Sequence, residues 1–204
     1  MGKKIILTLS ILTFLIPSVY ARDVDDSAFY LGTGCSFAYE MFDYSEDYNA
    51  DYGNTFGFYL KTGYRFNRYI SFQIDFDYFR NFLDSKYSDC YYCSNYDPAS
   101  RDFDILTLTG GLKLSVKLTN SLRPYVFAGA GIIKGKTDFE SFAAAEISSQ
   151  TVTDSGKCVK AAAGIDYFLS DNVSLGFEGG YTKAFGDLDE IKFAFGNINV
   201  AFYF

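Results

Sequence analysis

The sequence predicts an all-β chain that forms an eight-stranded antiparallel up-and-down transmembrane β-barrel. Two observations carry this prediction. Side chains alternate in polarity with a period of two in eight segments, and the connections between these segments alternate between short and long. The composition agrees, because aromatic residues make up 20% of the chain while Pro occurs only 3 times, a balance that favours strands over helices.

The eight segments are identified by their two faces. In residues 70–78, apolar and aromatic residues alternate without exception with Ser71, Gln73, Asp75 and Asp77. Successive side chains of a strand point to opposite sides, so this order predicts a strand with one apolar and one polar face. The predicted strands are residues 29–39, 56–66, 70–78, 106–118, 125–134, 159–167, 173–181 and 190–204. Residues 125–134 are apolar on both faces, so the orientation of that strand stays open.

The connections predict how the strands are arranged. Short links fall at residues 67–68, 119–123 and 170–172, whereas long ones fall at residues 40–55, 79–105, 135–157 and 182–189. Short turns at one end and long loops at the other are typical of barrels that cross a membrane. An even number of strands places both termini at the short-turn end, the periplasmic side. The four long connections are then expected to be exposed at the cell surface.

The amino terminus predicts export. Lys3 and Lys4 precede an almost continuous apolar run over residues 5–16, and the small-residue site Val19-Tyr20-Ala21 follows. This order is that of a secretory signal peptide, and its apolar core is too short to span a bilayer as a helix. We expect residues 1–21 to be removed, leaving residues 22–204 as one barrel domain whose formal net charge is −9 rather than −7. No basic stripe is present to neutralise phosphates, which argues against nucleic acid as a partner.

These features together resemble a known group of proteins. The leader, the eight alternating segments, the aromatic strand ends and the terminal Phe204 look like the small outer-membrane β-barrel family, which includes the OmpA membrane domain, OmpX and the opacity-type surface proteins. The resemblance implies a monomer in the outer membrane of a Gram-negative bacterium, in contact with outer-membrane lipid and lipopolysaccharide. It also implies delivery by periplasmic chaperones to a barrel assembly machinery that reads Phe204 as its signal. Members of the family act in adhesion, serum resistance or envelope integrity.

The chemistry available to the chain is limited by the absence of His. A Ser-His or Asp-His site, which needs an imidazole to move protons near neutral pH, is therefore excluded. We expect no enzymatic activity and no cofactor.

Charged residues on the polar faces are candidates for a network inside the barrel. An eight-stranded barrel is just wide enough for side chains, so charges inside must pair or hold water. Asp75 and Asp77 could alternatively act as an acid and a base, since they lie on one face about 7 Å apart. The predicted network has five cations and four anions: Lys61, Arg65, Lys113, Lys117, Lys160, Asp75, Asp77, Asp166 and Glu178.

The cysteines and the acidic clusters are weaker signals. Cys90 and Cys93 lie in the longest connection, where they form a local disulfide or stay free. The surroundings expected of a redox motif or a zinc site are missing. Cys35 and Cys158 fall on opposite phases, so no bond between them is predicted. The acidic clusters at residues 23–26, 43–47 and 187–190 do not follow a calcium-loop pattern; they predict a solvated surface or a divalent cation bridging to lipopolysaccharide, and no dedicated metal site.

Three functions remain open from the sequence. The first is a non-enzymatic outer-membrane barrel with four surface-exposed loops and a structural or adhesion-type role, for which the outside partner is unknown. The second is a small pore, which needs a continuous wet interior. The third is a soluble lipocalin-like barrel, which would turn its polar face outward and its apolar face inward.

Overall fold

The computed structural model describes residues 27–41, 53–83, 101–143 and 146–204. The predicted leader and the pair Cys90 and Cys93 lie outside this part of the chain. All eight predicted segments are strands in the structure. Their bounds are β1 Ala28–Glu40, β2 Thr55–Arg65, β3 Ile70–Leu83, β4 Arg101–Ser115, β5 Leu122–Ala143, β6 Glu146–Ser170, β7 Val173–Phe185 and β8 Lys192–Tyr203.

The strands form a closed antiparallel barrel in sequence order, and β8 pairs with β1. The register of this closure places Cys35 of β1 opposite Ile198 of β8. The amide of Phe204 then donates a hydrogen bond to the carbonyl of Phe29 at 2.8 Å. Closure matters because hydrocarbon offers no partner for an unpaired strand edge. The predicted eight-stranded barrel, with the last segment as its closing strand, is confirmed.

Short turns lie at one end of the barrel, together with the start of β1 and the end of β8. They span residues 66–69, 116–121 and 171–172. Asn67 explains the first of them, because its side-chain oxygen accepts hydrogen bonds from the amides of Tyr69 and Ile70 at 2.8 and 3.0 Å, the local bonding that makes Asn a turn residue. The strand ends that connections 41–54, 84–100 and 186–191 join lie at the opposite end.

The prediction of a long loop at residues 135–157 is wrong. Strands β5 and β6 stay paired until Ala143 opposite Glu146, which leaves only residues 144–145 between them. The extension contains strand formers such as Thr151, Val152 and Thr153, but it has no apolar face from which a strand could be predicted. The side chains of residues 151–155 are all exposed. In the same way β3 and β4 run further than predicted at this end, whereas β4 stops at Ser115 instead of continuing to residue 118.

The two faces of the barrel wall differ as the alternation predicts. On β3, Ile74 is 38% exposed on the outside while Asp75 is fully buried inside. The open orientation of β5 is settled in the structure: Tyr125 and Phe127 point inward and Val126 points outward. An apolar exterior around an interior that holds charged side chains is the reverse of a soluble lipocalin-like barrel. Within the described residues, no helix is both long enough and apolar enough to cross a bilayer.

Candidate functional site: the barrel interior

The interior near the short turns is filled by aromatic rings and two arginines, a group we call the arginine layer. The guanidinium carbon of Arg65 lies 4.5 Å from the ring centre of Tyr203, and that of Arg123 lies 4.8 Å from the ring centre of Phe168. The rings of Tyr30 and Phe168 pack on either side of Tyr203, with centroids 5.3 and 5.1 Å away. A cation over an aromatic face is attracted by the ring, so this layer joins charge to apolar bulk.

A charged layer lies above it, and its first centre is Asp166 of β6. The ammonium nitrogen of Lys113 is 2.6 Å from Asp166 Oδ2, and that of Lys61 is 3.7 Å from Asp166 Oδ1. The Lys113 nitrogen also lies 3.7 Å from the ring centre of Tyr125. One carboxylate is therefore shared by two lysines from two other strands.

Lys160 is the second centre, and here one lysine is shared by three carboxylates. Its ammonium nitrogen lies 3.0 Å from Asp75 Oδ2, 3.0 Å from Asp77 Oδ2 and 3.9 Å from Glu178 Oε1. All four side chains are buried. A buried carboxylate is costly unless its oxygens are also hydrogen bonded. The donors are Tyr59 (3.1 Å) and Gln73 (2.7 Å) to Asp75, Thr107 (2.8 Å) to Asp77, and Tyr125 (2.9 Å) and Asn197 (3.0 Å) to Glu178.

An apolar layer closes the interior at the end with the long connections; we call it the apolar cap. Two of its residues, Leu188 and Ile191, come from the connection between β7 and β8 and are buried in the barrel mouth. This connection is held by hydrogen bonds from the amide of Ala184 to the carbonyl of Ile191 (2.9 Å) and from the amide of Ile191 to the carbonyl of Leu188 (3.0 Å). The cap consists of Ala38, Phe79, Phe103, Ile105, Phe127, Ile133, Cys158, Ala162, Ala184, Leu188, Ile191, Phe193 and Phe195.

The structure brings most of the predicted network into the interior. Lys61, Asp75, Asp77, Lys113, Lys160, Asp166 and Glu178 form the charged layer, and Arg65 lies in the arginine layer. Lys117, predicted to belong to the same network, instead lies two residues beyond the end of β4, and its side chain is partly exposed near the turn. Arg123, predicted to lie in a turn, is inside instead. Among the buried side chains that are described, the balance is thus still five cations to four anions.

The remaining candidate residues are placed as follows. Asp75 and Asp77 both contact Lys160, which fits an ion-paired structural role better than an acid and a base. Cys35 faces outward and Cys158 lies in the apolar cap, and both are free thiols. Phe204 points outward beside the barrel seam, and its role as an assembly signal stays a prediction. Within the described part of the chain, no group of three or more Cys, Asp or Glu side chains could hold a metal ion.

Comparison with known proteins gives similarity over the whole barrel. A profile of the outer membrane protein beta-barrel domain family matches residues 7–204. A major outer membrane protein from Thermus thermophilus superposes with a TM-score of 0.62 at 11% identity, over 87% of this chain and 99% of that chain. Neisserial surface protein A gives 0.58 at 17% identity, over 88% and 100%. Ail, the attachment invasion locus protein of Yersinia pestis, gives 0.54 at 22% identity, over 88% and 99%.

At these identities the solved structures share the fold with this chain. Curated protein sequences gave no significant match. The family profile covers nearly all of the chain, including every strand of the barrel. The chain therefore belongs to the outer membrane protein beta-barrel domain family.

Proposed function

We propose that this protein is a non-enzymatic outer-membrane barrel whose interior is structural and whose function is contact at the cell surface, of the adhesion type. One observation carries the proposal: the arginine layer, the charged layer and the apolar cap fill the interior one above another. A pore would need a continuous wet path through these layers. Since the interior is occupied, the surfaces left to act are those at the two ends.

The end with the long connections is the one that faces outward in this proposal. Short turns of transmembrane barrels lie on the periplasmic side and longer loops outside. The strand ends joined by connections 41–54, 84–100 and 186–191 lie at this end, together with the far ends of the paired strands β5 and β6. This pair continues beyond its neighbour, because β7 ends at Phe185 opposite Lys157 while β6 extends back to Glu146. It projects exposed Thr, Ser and Asp side chains, a surface suited to a polar partner.

Two further points support the proposal. Ail, which shares the fold, is named for attachment and invasion, and one of its crystal structures contains the heparin analogue sucrose octasulfate. For the present chain we infer a host-surface partner of unknown identity, and a location in the outer membrane of a Gram-negative bacterium after cleavage of residues 1–21. Lipid and lipopolysaccharide surround the barrel wall in this setting.

The proposal is tested by altering each outer connection in turn on intact cells. Three variants replace residues 42–52, 84–100 or 137–152 with a short Gly- and Asn-containing turn, and a fourth changes Asp187, Asp189 and Glu190 to Asn, which leaves Leu188 of the apolar cap in place. We expect at least one of them to lose binding to host-cell monolayers while its amount in the detergent-extracted outer membrane stays that of the parent. A matched control substitutes Arg68→Gln in the periplasmic turn, which should leave binding unchanged. Parental binding by all four variants, or no binding by the parent, would contradict an adhesion-type role.

A further inference from the structure

Four buried polar atoms around Asp166 have no hydrogen-bond partner among the described residues. They are the ammonium nitrogen of Lys61, Asp166 Oδ1, and both the oxygen and the nitrogen of the Asn199 side-chain amide. The three residues are 0%, 3% and 1% exposed, in that order. Buried polar side-chain atoms are hydrogen bonded in the large majority of cases, to protein or to ordered water. Three residues with the same deficit therefore indicate a shared partner.

The strand register brings Asp166 and Asn199 to the same level of the barrel. Asp166 of β6 is opposite Gly176 of β7, and Gly176 is opposite Asn199 of β8. A Cβ added to Gly176 would lie 2.6 Å from Asn199 Oδ1 and 2.8 Å from Asn199 Nδ2. The amide of Asn199 thus lies over this glycine and points toward the strand that carries Asp166. Any larger residue in place of Gly176 would displace the amide.

Lys61 reaches the same region from β2. It is opposite Gly32 of β1, and a Cβ added to Gly32 would lie 2.9 Å from the Lys61 Cε atom. The lysine stem therefore passes over β1, and its nitrogen ends 3.7 Å from Asp166 Oδ1. That separation allows an ion pair, but it exceeds the length of an N–H···O hydrogen bond, about 3.2 Å at most. A polar contact of this length is typical of two groups bridged by water.

The donors and acceptors of this cluster select the chemistry of the ligand. Lys61 can only donate hydrogen bonds, the ion-paired carboxylate of Asp166 can only accept them, and the Asn199 amide does both. An anion would be repelled by Asp166, and a metal cation would be repelled by Lys61. Water is neutral and both donates and accepts, and a buried water typically makes about three hydrogen bonds. The cluster offers that number of partner residues.

Further side chains enclose the cluster along the barrel axis. Toward the outer end, the next inward residue of β8 is Asn197, which is bonded to Ser36 and Glu178, and the apolar cap follows. Toward the short turns, Tyr203 of the arginine layer packs under Arg65. A ligand held at the cluster is therefore separated from both ends of the barrel and does not form part of a wet path through it.

We propose that Lys61, Asp166 and Asn199 bind one water molecule inside the barrel, which joins β2, β6 and β8. Asp166 would then hold one lysine directly, through Oδ2 and Lys113 at 2.6 Å, and the other through the water on Oδ1. Asn199 is the positioning residue, since its amide lies beside the shared carboxylate. This inference rests on the proposed structural role of the interior and deepens it by naming a ligand that belongs to the folded barrel.

A crystal structure of the detergent-solubilised parent, at a resolution that shows ordered waters, tests the site directly. We expect density for a single atom about 2.5–3.2 Å from Lys61 Nζ, Asp166 Oδ1 and the Asn199 amide. Crystals soaked in bromide or in rubidium should give no anomalous peak at this position. The proposal is overturned if no density is found there, or if either soak gives a peak, which would identify an anion or a cation instead.

Coupling between Lys61 and Asn199 provides a second measurement. Lys61→Met removes the ammonium group and Asn199→Leu removes the amide at similar volume. Each change should lower the guanidinium midpoint of unfolding in lipid vesicles, because each loses the water. The double variant should lose less than the sum of the two, since one water is lost in all three proteins. If Asn199 were simply unsatisfied, Asn199→Leu would raise the midpoint, and this result would contradict the proposal.

Asn197 supplies the matched control, because its amide is bonded directly to protein. Its nitrogen donates to Glu178 Oε1 at 3.0 Å, and its oxygen accepts from the Ser36 hydroxyl. Asn197→Leu should lower the midpoint by an amount that adds to that of Lys61→Met. Additive losses for Lys61 and Asn199, or the same shortfall with Asn197, would refute a shared water. These readouts are independent of host-cell binding, so failure of the adhesion-type role would leave them unchanged.

Discussion

Replacing Lys160 by Met is expected to lower the free energy of unfolding of the folded barrel by about 3–5 kcal/mol, the typical cost of removing one partner from a buried ion pair. Lys160 lies within 4 Å of Asp75, Asp77 and Glu178, and its loss leaves all three carboxylates without that cation. Met keeps most of the length and apolar volume of the side chain, so that packing changes little. The measurement is equilibrium unfolding by guanidinium in lipid vesicles.

A compensating variant serves as the control for this prediction. Adding Asp75→Asn and Asp77→Asn to Lys160→Met removes negative charge together with the lysine, while the amides still accept hydrogen bonds from Tyr59 and Thr107. We expect this triple variant to be more stable than Lys160→Met alone. If Lys160→Met were as stable as the parent, the charged layer would not be the ion-paired core described here.

Replacing Ile74 by Arg is expected to cost about 2–4 kcal/mol of folding free energy in a bilayer, the penalty for a cation at the midplane of a transmembrane barrel. Ile74 is the central outward residue of the apolar run on β3 and is 38% exposed on the barrel wall. The charge of the introduced Arg would lie in hydrocarbon. The comparison is between the unfolding free energies of variant and parent in vesicles of the same lipid.

The control for this second prediction uses the fact that the penalty for an introduced Arg depends on its depth in the bilayer. Phe66 is also exposed on the outside, but it lies in the turn after β2. Since the penalty falls to about 0–1 kcal/mol near the interface, Phe66→Arg should cost much less than Ile74→Arg. Equal costs at both positions, or none at Ile74, would contradict the placement of this face in lipid.

The face of the barrel wall on which each side chain lies could be predicted from the sequence, because side chains alternate between the two faces along a strand. Once Ile74 is outside, Asp75 and Asp77 must be inside, whatever the rest of the fold. The alternation failed at the end of β4, where the strand stops before Lys117, and in the segment where both faces are apolar. Both faces of residues 125–134 are apolar, and the sequence places Arg123 in the preceding turn, whereas in the structure Arg123 points inward with Tyr125. The inward position of Tyr125 would have been enough to predict that Arg123, two residues earlier, also points inward.

The partners inside the barrel could not be predicted in this way. Lys160 of β6 donates to Asp77 of β3, 83 residues away in the chain, and this contact depends on the tilt of the strands across the barrel. Leu188 could not be placed for a different reason, because it lies in an acidic connection whose composition predicts exposure to solvent; Ile191, predicted in the last strand, belongs to the same connection. Two large apolar residues in such a connection are the signal that it folds back over the mouth.

Single-barrel conductance in planar bilayers tests most directly whether the interior of the barrel is closed. Purified parent protein is added to a bilayer of neutral lipid, with a sixteen-stranded porin as the positive control, since about sixteen strands are needed to leave an aqueous channel. Insertion is verified by the folded gel mobility of the protein recovered from matched vesicles. The arginine layer, the charged layer and the apolar cap predict no stable unitary current from the inserted barrel. Reproducible conductance steps from single parent barrels would contradict the account and favour the pore.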